Sequence, residues 1–536
     1  MSSAFTTRAE RFALVLLQLG ALATILIALP FKQFDLDRFF VPKELVLHIT
    51  AALVVLLCLA CARRLELTRV DTLLAGFLAV SAVSAAFAPN WWLAERALAV
   101  SVSGLALFWA ARALSGAGLA RPLVAALVLA VVAGACTALL QAYGVDSDLV
   151  SLNRAPGGTF GNRNFMAHAA AIGAPALVLC TLTARHRLAA LAGTVGACLL
   201  AGALILSRSR AAWVALLAGM VPVIIVAWMV RRRWRDARTG ARVKSLLLAI
   251  GIGVLAAVSI PNTLDWRSDS PYLDSVRGMV NYTEGSGRGR LIQYRTSLRM
   301  TSAHPWLGVG TGNWSVEYPH FAARNDPSIQ HSDGMTANPW PSSDWAAFLS
   351  ERGVLAVALL VLALVGLGVN AVRQLRRARD SEQYLAGLAL GATLVITIVV
   401  GAFDAVLLLP ATSIIAWPLL GALSATPERS RAGLALCGRR RTWTLAGIAA
   451  IGMLFAARSA SQIAAMSIAS SSGRLATIER AARADPGSYR LHMQLAESYA
   501  RHGACGSARR HASAARALYP HAPEPRRLLA ACGRER

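Results

Sequence analysis

The chain reads as long apolar runs cut by short, arginine-bearing stretches. A run of about 20 apolar residues is long enough to cross a bilayer as a helix. Such runs fall at 12–30, 45–62, 72–88, 95–113, 122–142, 164–184, 188–207, 211–230, 245–261, 344–372, 384–405, 410–425 and 442–458. The pattern predicts an all-α, polytopic transmembrane bundle of about 12–13 spans. The twelfth run is interrupted by Pro410 and Pro418. The first follows Arg8 and Arg11 without a small-residue cleavage site, so it is expected to stay as an anchor.

Composition sharpens this reading. Of 536 residues, 56% are hydrophobic and only 15% charged, where a soluble domain carries about 25% charged residues. A soluble enzyme and a disordered chain are both excluded. The net charge of +26 comes from 54 basic against 28 acidic residues. No basic face interleaved with stacking aromatics accompanies it, so nucleic acid is not an expected partner. The basic residues instead collect in alternate loops: Arg63, Arg64 and Arg69; Arg112 and Arg121; Arg185 and Arg187; then 231–244, 373–380 and 428–441. Positive loops stay on the cytoplasmic side. The N-terminus is therefore expected on the cytoplasmic side, with 31–44, 143–163, 207–210, 262–343 and the C-terminal tail on the other, outer side.

Four regions follow: N-terminal spans in 1–261, a large outer loop in 262–343, C-terminal spans in 344–458, and a helical tail in 474–536. In the tail the long apolar runs give way to an amphipathic pattern. Pro486 and Pro520 stand 34 residues apart, the period of a tetratricopeptide repeat. Leu495, Ala496, Tyr499, Ala508, Ala512 and Ala515 occupy the positions where such a helix pair needs its small and large packing residues. One repeat cannot bury both its faces, so 474–485 and 521–532 are expected to add flanking helices. An ordinary helical hairpin packed on the membrane domain satisfies the same pattern. Cys505 and Cys532 lie on the side where a disulfide would persist.

The spans hold few ionisable residues; His48, His168 and Asp404 stand near helix ends, where snorkelling to the interface explains them. Polar material is concentrated in the outer loops, which favours an enzyme working at the outer face over a transporter. SRSRAAW places Arg208 and Arg210 in a short outer turn, an exception to the charge rule. A guanidinium there can hold lipid headgroups or a substrate phosphate. GSGRGRLIQYRTSLRM (285–300) carries Arg288, Arg290, Arg295 and Arg299, of which Arg288, Arg295 and Arg299 share one helical face. HPWLGVGTGNW (304–314) sets Gly308, Gly310 and Gly312 at alternate positions, as a tight loop needs where it passes close to something.

Together these stretches resemble the O-antigen ligase and polymerase superfamily of bacterial envelope glycosyltransferases. GTFGNRNFMAHAAAIGAPAL (158–177) is similar to its Phe-x-Asn-x-Asn stretch, SRSRAAW to its Ser-Arg-x-x-Trp turn, and 289–314 to its Arg-rich helix followed by Pro-x-x-Gly-x-Gly. FLSERGVLAV (348–357) is similar to its Glu-x-Gly-x-x-Gly, with Ala356 in place of the last glycine. The resemblance implies transfer of a glycan from undecaprenyl pyrophosphate to a hydroxyl on a lipid, glycan or protein acceptor, with no metal and no cofactor. It implies that arginines neutralise the leaving pyrophosphate: Arg210 and Arg290 match best, with Arg288 and Arg295 as alternates.

One departure matters. The family's His-Asn pair would fall at Ser342, in the stretch NPWPSSDW (338–345), and no histidine stands there. Asp344 is the nearest group able to accept a proton, and His331 and His320 belong to the same loop. The base has changed identity, the acceptor differs, or activity is lost. A polymerase and a protein O-oligosaccharyltransferase would share the donor. A non-catalytic assembly scaffold, recruiting a protein partner through the tail, is the rival from another class.

Overall fold

The computed structural model describes residues 7–62, 64–150, 154–229, 237–266, 268, 270–278, 285–330, 334–424, 432–435 and 438–532. A helix meets each predicted span. In chain order these are α1 (Arg8–Leu26), α2 (Asp37–Cys61), α3 (Arg69–Ala86), α4 (Trp91–Leu114), α5 (Ala120–Ala142), α6 (Arg163–Leu182), α7 (Arg187–Ser207), α8 (Arg210–Met229) and α9 (Ala237–Ser259). The loop helices α10 (Pro271–Arg277), α11 (Gly285–Ala303) and α12 (Trp314–Phe321) follow. The bundle resumes with α13 (Asp344–Arg377), α14 (Ser381–Phe403), α15 (Pro410–Leu423) and α16 (Gly438–Ser471). Among the described residues ten helical stretches are long and apolar enough to cross a membrane, and α8 and α15 add shorter apolar helices. One of the ten, Trp91–Ala142, joins α4 to α5 through Gly118, whose φ of 84° breaks the helical path.

The centre of the bundle is α6 and α15. In α15 every residue from Pro410 to Leu423 is buried, so this helix meets protein on all sides. That position answers its two prolines: an interior proline weakens a helix, but neighbouring helices hold this one in place. The outer helices expose Leu, Val and Ile on one side, as lipid-facing helices do.

Two features lie outside the span pattern. Arg64–Leu67 and Ala432–Ala435 pair as an antiparallel two-stranded ladder joining distant loops at one end of the bundle. Helix α16 has 34 residues, or about 50 Å at 1.5 Å per residue, more than a hydrocarbon core of about 30 Å needs. Its last turns therefore leave the span and lead into α17 (Leu475–Ala484), α18 (Tyr489–Arg501), α19 (Cys505–Leu518) and α20 (Pro523–Ala531). Ala508, Ala512 and Ala515 are buried on α19, which packs closely on α18. Cys505 and Cys532 form a disulfide.

The tail is docked at the bundle end that also carries α10–α12. Asn90 Nδ2 donates to the Leu518 carbonyl at 3.1 Å. Arg458 on α16 bonds Asp485 at 2.8 Å, and His521 lies 3.4 Å from Glu317 of α12.

Candidate functional site

The site is built from three connections at one end of the bundle. The first is the loop into α6. Gly158 and Gly161 have φ of 52° and 74°, and a Cβ on Gly161 would stand 2.4 Å from the Phe39 ring, so no other residue fits there. Gln141 accepts the Gly158 amide at 2.8 Å, and the Thr159 hydroxyl donates to the Ile25 carbonyl at 2.7 Å. Asn162 then caps α6 by accepting the Asn164 amide at 2.9 Å. With the loop pinned to α1, α2 and α5, the Arg163 amide donates to the Arg154 carbonyl at 3.0 Å. Both arginines are thereby held at one end of the bundle.

The second connection is the turn between α7 and α8. Arg208 is in the left-handed region, φ 52°, a conformation that costs a non-glycine residue about 1 kcal/mol or more. Trp213 fixes the turn by donating to the Leu204 carbonyl at 3.0 Å. Arg208 Nε donates to Ser275 of α10 at 2.8 Å, and Arg210 donates to the Gly278 carbonyl just beyond α10. The guanidinium carbons of Arg208 and Arg163 lie 4.7 Å and 5.8 Å from the Trp266 ring centroid, each a cation–π contact. The charges acting on Arg163 are those of Arg208, Arg154 and Arg210, all of its own sign.

The third is α11 against the loop after α14. The Ser342 amide donates to Gln293 at 2.9 Å, and the Tyr294 hydroxyl donates to the Ser342 and Ala402 carbonyls at 3.1 Å and 2.6 Å. This staple turns Arg290, one helical turn earlier, towards Asp404. Burial raises the Asp404 carboxyl above its ordinary range, and Arg290 and Arg154 pull it back. Asn164 also donates to Asp404, at 3.4 Å. The Nε of Arg290 is buried without a hydrogen-bond partner among the described residues, and its charge reaches His168 of α6. His168 has no exposure and neither ring nitrogen has a partner among the described residues.

The predicted residues are thus placed differently from one another. Arg154 is common to the surroundings of Arg163 and of Asp404, which links the Arg210 turn to the Arg290 helix. Arg288 and Arg295 are exposed on the other side of α11. Asp344 is fully buried at the start of α13, its two oxygens accepting the amides of Val406 and Leu407, each at 2.9 Å. It anchors the loop that carries Asp404. His331 lies outside the described residues, and His320 stacks on His521 of the tail at 4.9 Å. His48 and His168 are enclosed in protein rather than snorkelling; His48 pairs with the Ser103 hydroxyl at 2.8 Å.

Sequence reasoning misses Arg154, Arg163, Trp266 and Asp404 as members of this site. A signal for the first two is present: they lie in or beside a predicted outer loop, the same exception to the charge rule that singles out Arg208 and Arg210.

Residues 195–361, from within α7 to within α13, match the profile of the family described as O-antigen ligase. That stretch is similar to an O-antigen ligase domain. No curated protein matches the chain.

Within the O-antigen ligase segment, the glycine loop and the Glu-x-Gly stretch prove to be two halves of one joint. The amides of Gly312 and Trp314 donate to the Glu351 carboxylate at 3.0 Å and 3.2 Å, and the Gly310 amide donates to the Glu351 carbonyl at 3.1 Å. Gly308, Gly310, Gly312 and Gly353 all have positive φ. A Cβ on Gly308 or Gly353 would collide with backbone of the other strand of the joint, at 2.2 Å and 2.1 Å. Gly308 approaches the α13 backbone, while Gly310 and Gly312 approach Ala88 and Leu93, so these glycines let the loop pack between α13 and the start of α4.

Proposed function

We propose that this protein is a membrane glycosyltransferase that moves a glycan from undecaprenyl pyrophosphate to an acceptor hydroxyl at the periplasmic face of a bacterial inner membrane. The observation that carries this reading is the gathering of Arg154, Arg163, Arg208, Arg210 and Arg290, five guanidinium groups on which Asp274 and Asp404 act as carboxylates. Like charges held together raise the energy of the folded protein, and a bound polyanion relieves them. Guanidinium groups match phosphate oxygens through paired hydrogen bonds. Arg290 reserves a buried N–H for such an acceptor.

The chemistry follows from charge development. The bond between the sugar C1 and the pyrophosphate oxygen breaks, and its electron pair leaves with the pyrophosphate. The arginines are already oriented towards that developing charge, so they lower the barrier without reorganising. The acceptor oxygen bonds to C1 and loses its proton to Asp404, which burial makes a better base than an ordinary aspartate. Asp344 holds the Asp404 loop in place rather than meeting the acceptor. Ligase, polymerase and protein O-oligosaccharyltransferase differ in the acceptor, and ligation is the reading the family match favours. The tail, docked beside α12, would offer its helical repeat to a partner protein. A scaffold without catalysis would have no use for arginines clustered at a fixed turn.

The test is a deletion strain complemented with wild type, Arg210→Ala, Arg290→Ala or Asp404→Asn, with protein levels matched. Lipid-linked glycan should accumulate in the deletion and in all three variants. Wild-type glycans in all three, with altered glycans in the deletion, would leave the scaffold as the answer.

A further inference from the structure

At the end of the bundle opposite the arginine cluster, a cavity of about 1750 Å³ opens between the α6–α7 connection and the α13–α14 connection. Its mouth and its walls have opposite chemistry. Arg121, Arg185, Arg373, Arg377 and Arg379 stand at the mouth with a single acidic residue, Glu382. Glu382 is taken by Arg121. Arg185, Arg377 and Arg379 are exposed, and their side chains form no ion pair among the described residues. Behind them the walls are apolar: Val128 and Leu129 on α5, Leu191 and Val195 on α7. Leu129 and Leu191 are 61% and 59% exposed on helices long enough to span, so the slot opens sideways into the hydrocarbon.

Each half excludes a class of occupant. A soluble phosphate would make no use of walls lined by Leu and Val, and a neutral lipid would make no use of unpaired guanidinium groups. The loop-charge rule accounts for arginines at this end, but it does not require a deep apolar slot directly behind them. Basic pockets between membrane helices recognise anionic headgroups through this combination of charge and acyl contact. We propose that the slot binds one anionic phospholipid of the surrounding membrane, its phosphate among Arg185, Arg377 and Arg379 and an acyl chain along the α5–α7 wall. The lipid would wedge the α5–α7 group against the α13–α14 pair at the end remote from the proposed chemistry, independently of the donor reading.

Native mass spectrometry of the full-length protein in detergent tests this. It would be titrated separately with phosphatidylglycerol, phosphatidylcholine, undecaprenyl phosphate and glycerol 3-phosphate. Phosphatidylglycerol should be retained over phosphatidylcholine and glycerol 3-phosphate. Each of Arg185→Ala, Arg377→Ala and Arg379→Ala should weaken retention about fivefold, the share of one arginine at an anionic surface. Leu191→Trp, which fills the slot and leaves every charge, should also weaken it, whereas Arg474→Ala in the tail should not. Equal retention of phosphatidylglycerol and phosphatidylcholine would overturn the proposal, as would unchanged binding in the triple arginine variant. Equal retention of glycerol 3-phosphate would show that the apolar wall plays no part, and preference for undecaprenyl phosphate would make the slot a carrier site; both outcomes would also overturn it.

Discussion

Arg290 and Arg352 are both arginines on helices of the O-antigen ligase segment, and their surroundings could hardly differ more. Arg352 has no exposure, yet its guanidinium donates to Ser81 and Ser101 at 3.2 Å and 2.9 Å and lies over the rings of Phe77 and Phe348 at 5.2 Å and 4.7 Å. Glu351 stands beside it in the chain and anchors the glycine loop. The Nε of each arginine is buried without a hydrogen-bond partner among the described residues, but Arg290 is only half-buried, and the carboxylate that acts on it, Asp404, is shared with Arg154. The difference separates a charge that holds structure from one that, in the proposed function, awaits a ligand. Burial alone does not make the distinction; compensation does.

That comparison can be broken. The largest effect is expected from Arg290→Ala, which should cut glycan transfer by about 10²–10³-fold, the usual cost of removing a preorganised donor. Protein level and melting temperature should stay near wild type, and a large drop in either would move Arg290 into the structural class. Next comes Asp404→Asn, expected to lose about 10²-fold as a proton acceptor is removed. Asp344→Asn should instead lower the melting temperature, because it disturbs the bonds to Val406 and Leu407.

The pH profile sharpens the assignment of the base. Asp404 must be ionised to accept a proton, and burial raises its carboxyl. Activity should therefore fall on acidification while the pH is still above the ordinary aspartate range of about 3.9. An acid limb confined to lower pH would remove Asp404 from the proton's path. On the structural side, Gly353→Ala forces a side chain into φ 79° and against the Trp306 carbonyl. It should cost about 3 kcal/mol of stability, read as a lower melting temperature, with the remaining folded enzyme within about threefold of wild type in specific activity. The smallest effect is expected from Arg288→Ala and Arg295→Ala, both exposed, at less than about twofold. A loss comparable to that of Arg290→Ala would show that exposure on α11 is no guide to function.

Part of the candidate site is legible in the amino-acid sequence. Arg208 and Arg210 stand out because guanidinium groups in a predicted outer turn break the charge rule, an argument from sequence position alone, and Arg290 stands out by its match to the family pattern. Asp404 does not stand out, because a carboxylate at a helix end looks the same whether it meets water or an arginine from a helix more than a hundred residues earlier in the chain. Asp344 suggests itself as the base by proximity in sequence, while its two oxygens are turned to backbone amides of a loop more than sixty residues later.

The sequence by itself determined the spans, their alternation of charge and the helical tail, since a run of apolar side chains has one way to satisfy its backbone in a bilayer and needs no partner to declare it. The tertiary structure alone decided which charges meet. It set Arg290 opposite Asp404, closed Glu351 on the glycine loop and left Arg185, Arg377 and Arg379 at the mouth of an apolar slot. Each of these depends on how helices far apart in the chain pack together, and such packing has no period that a sequence can display.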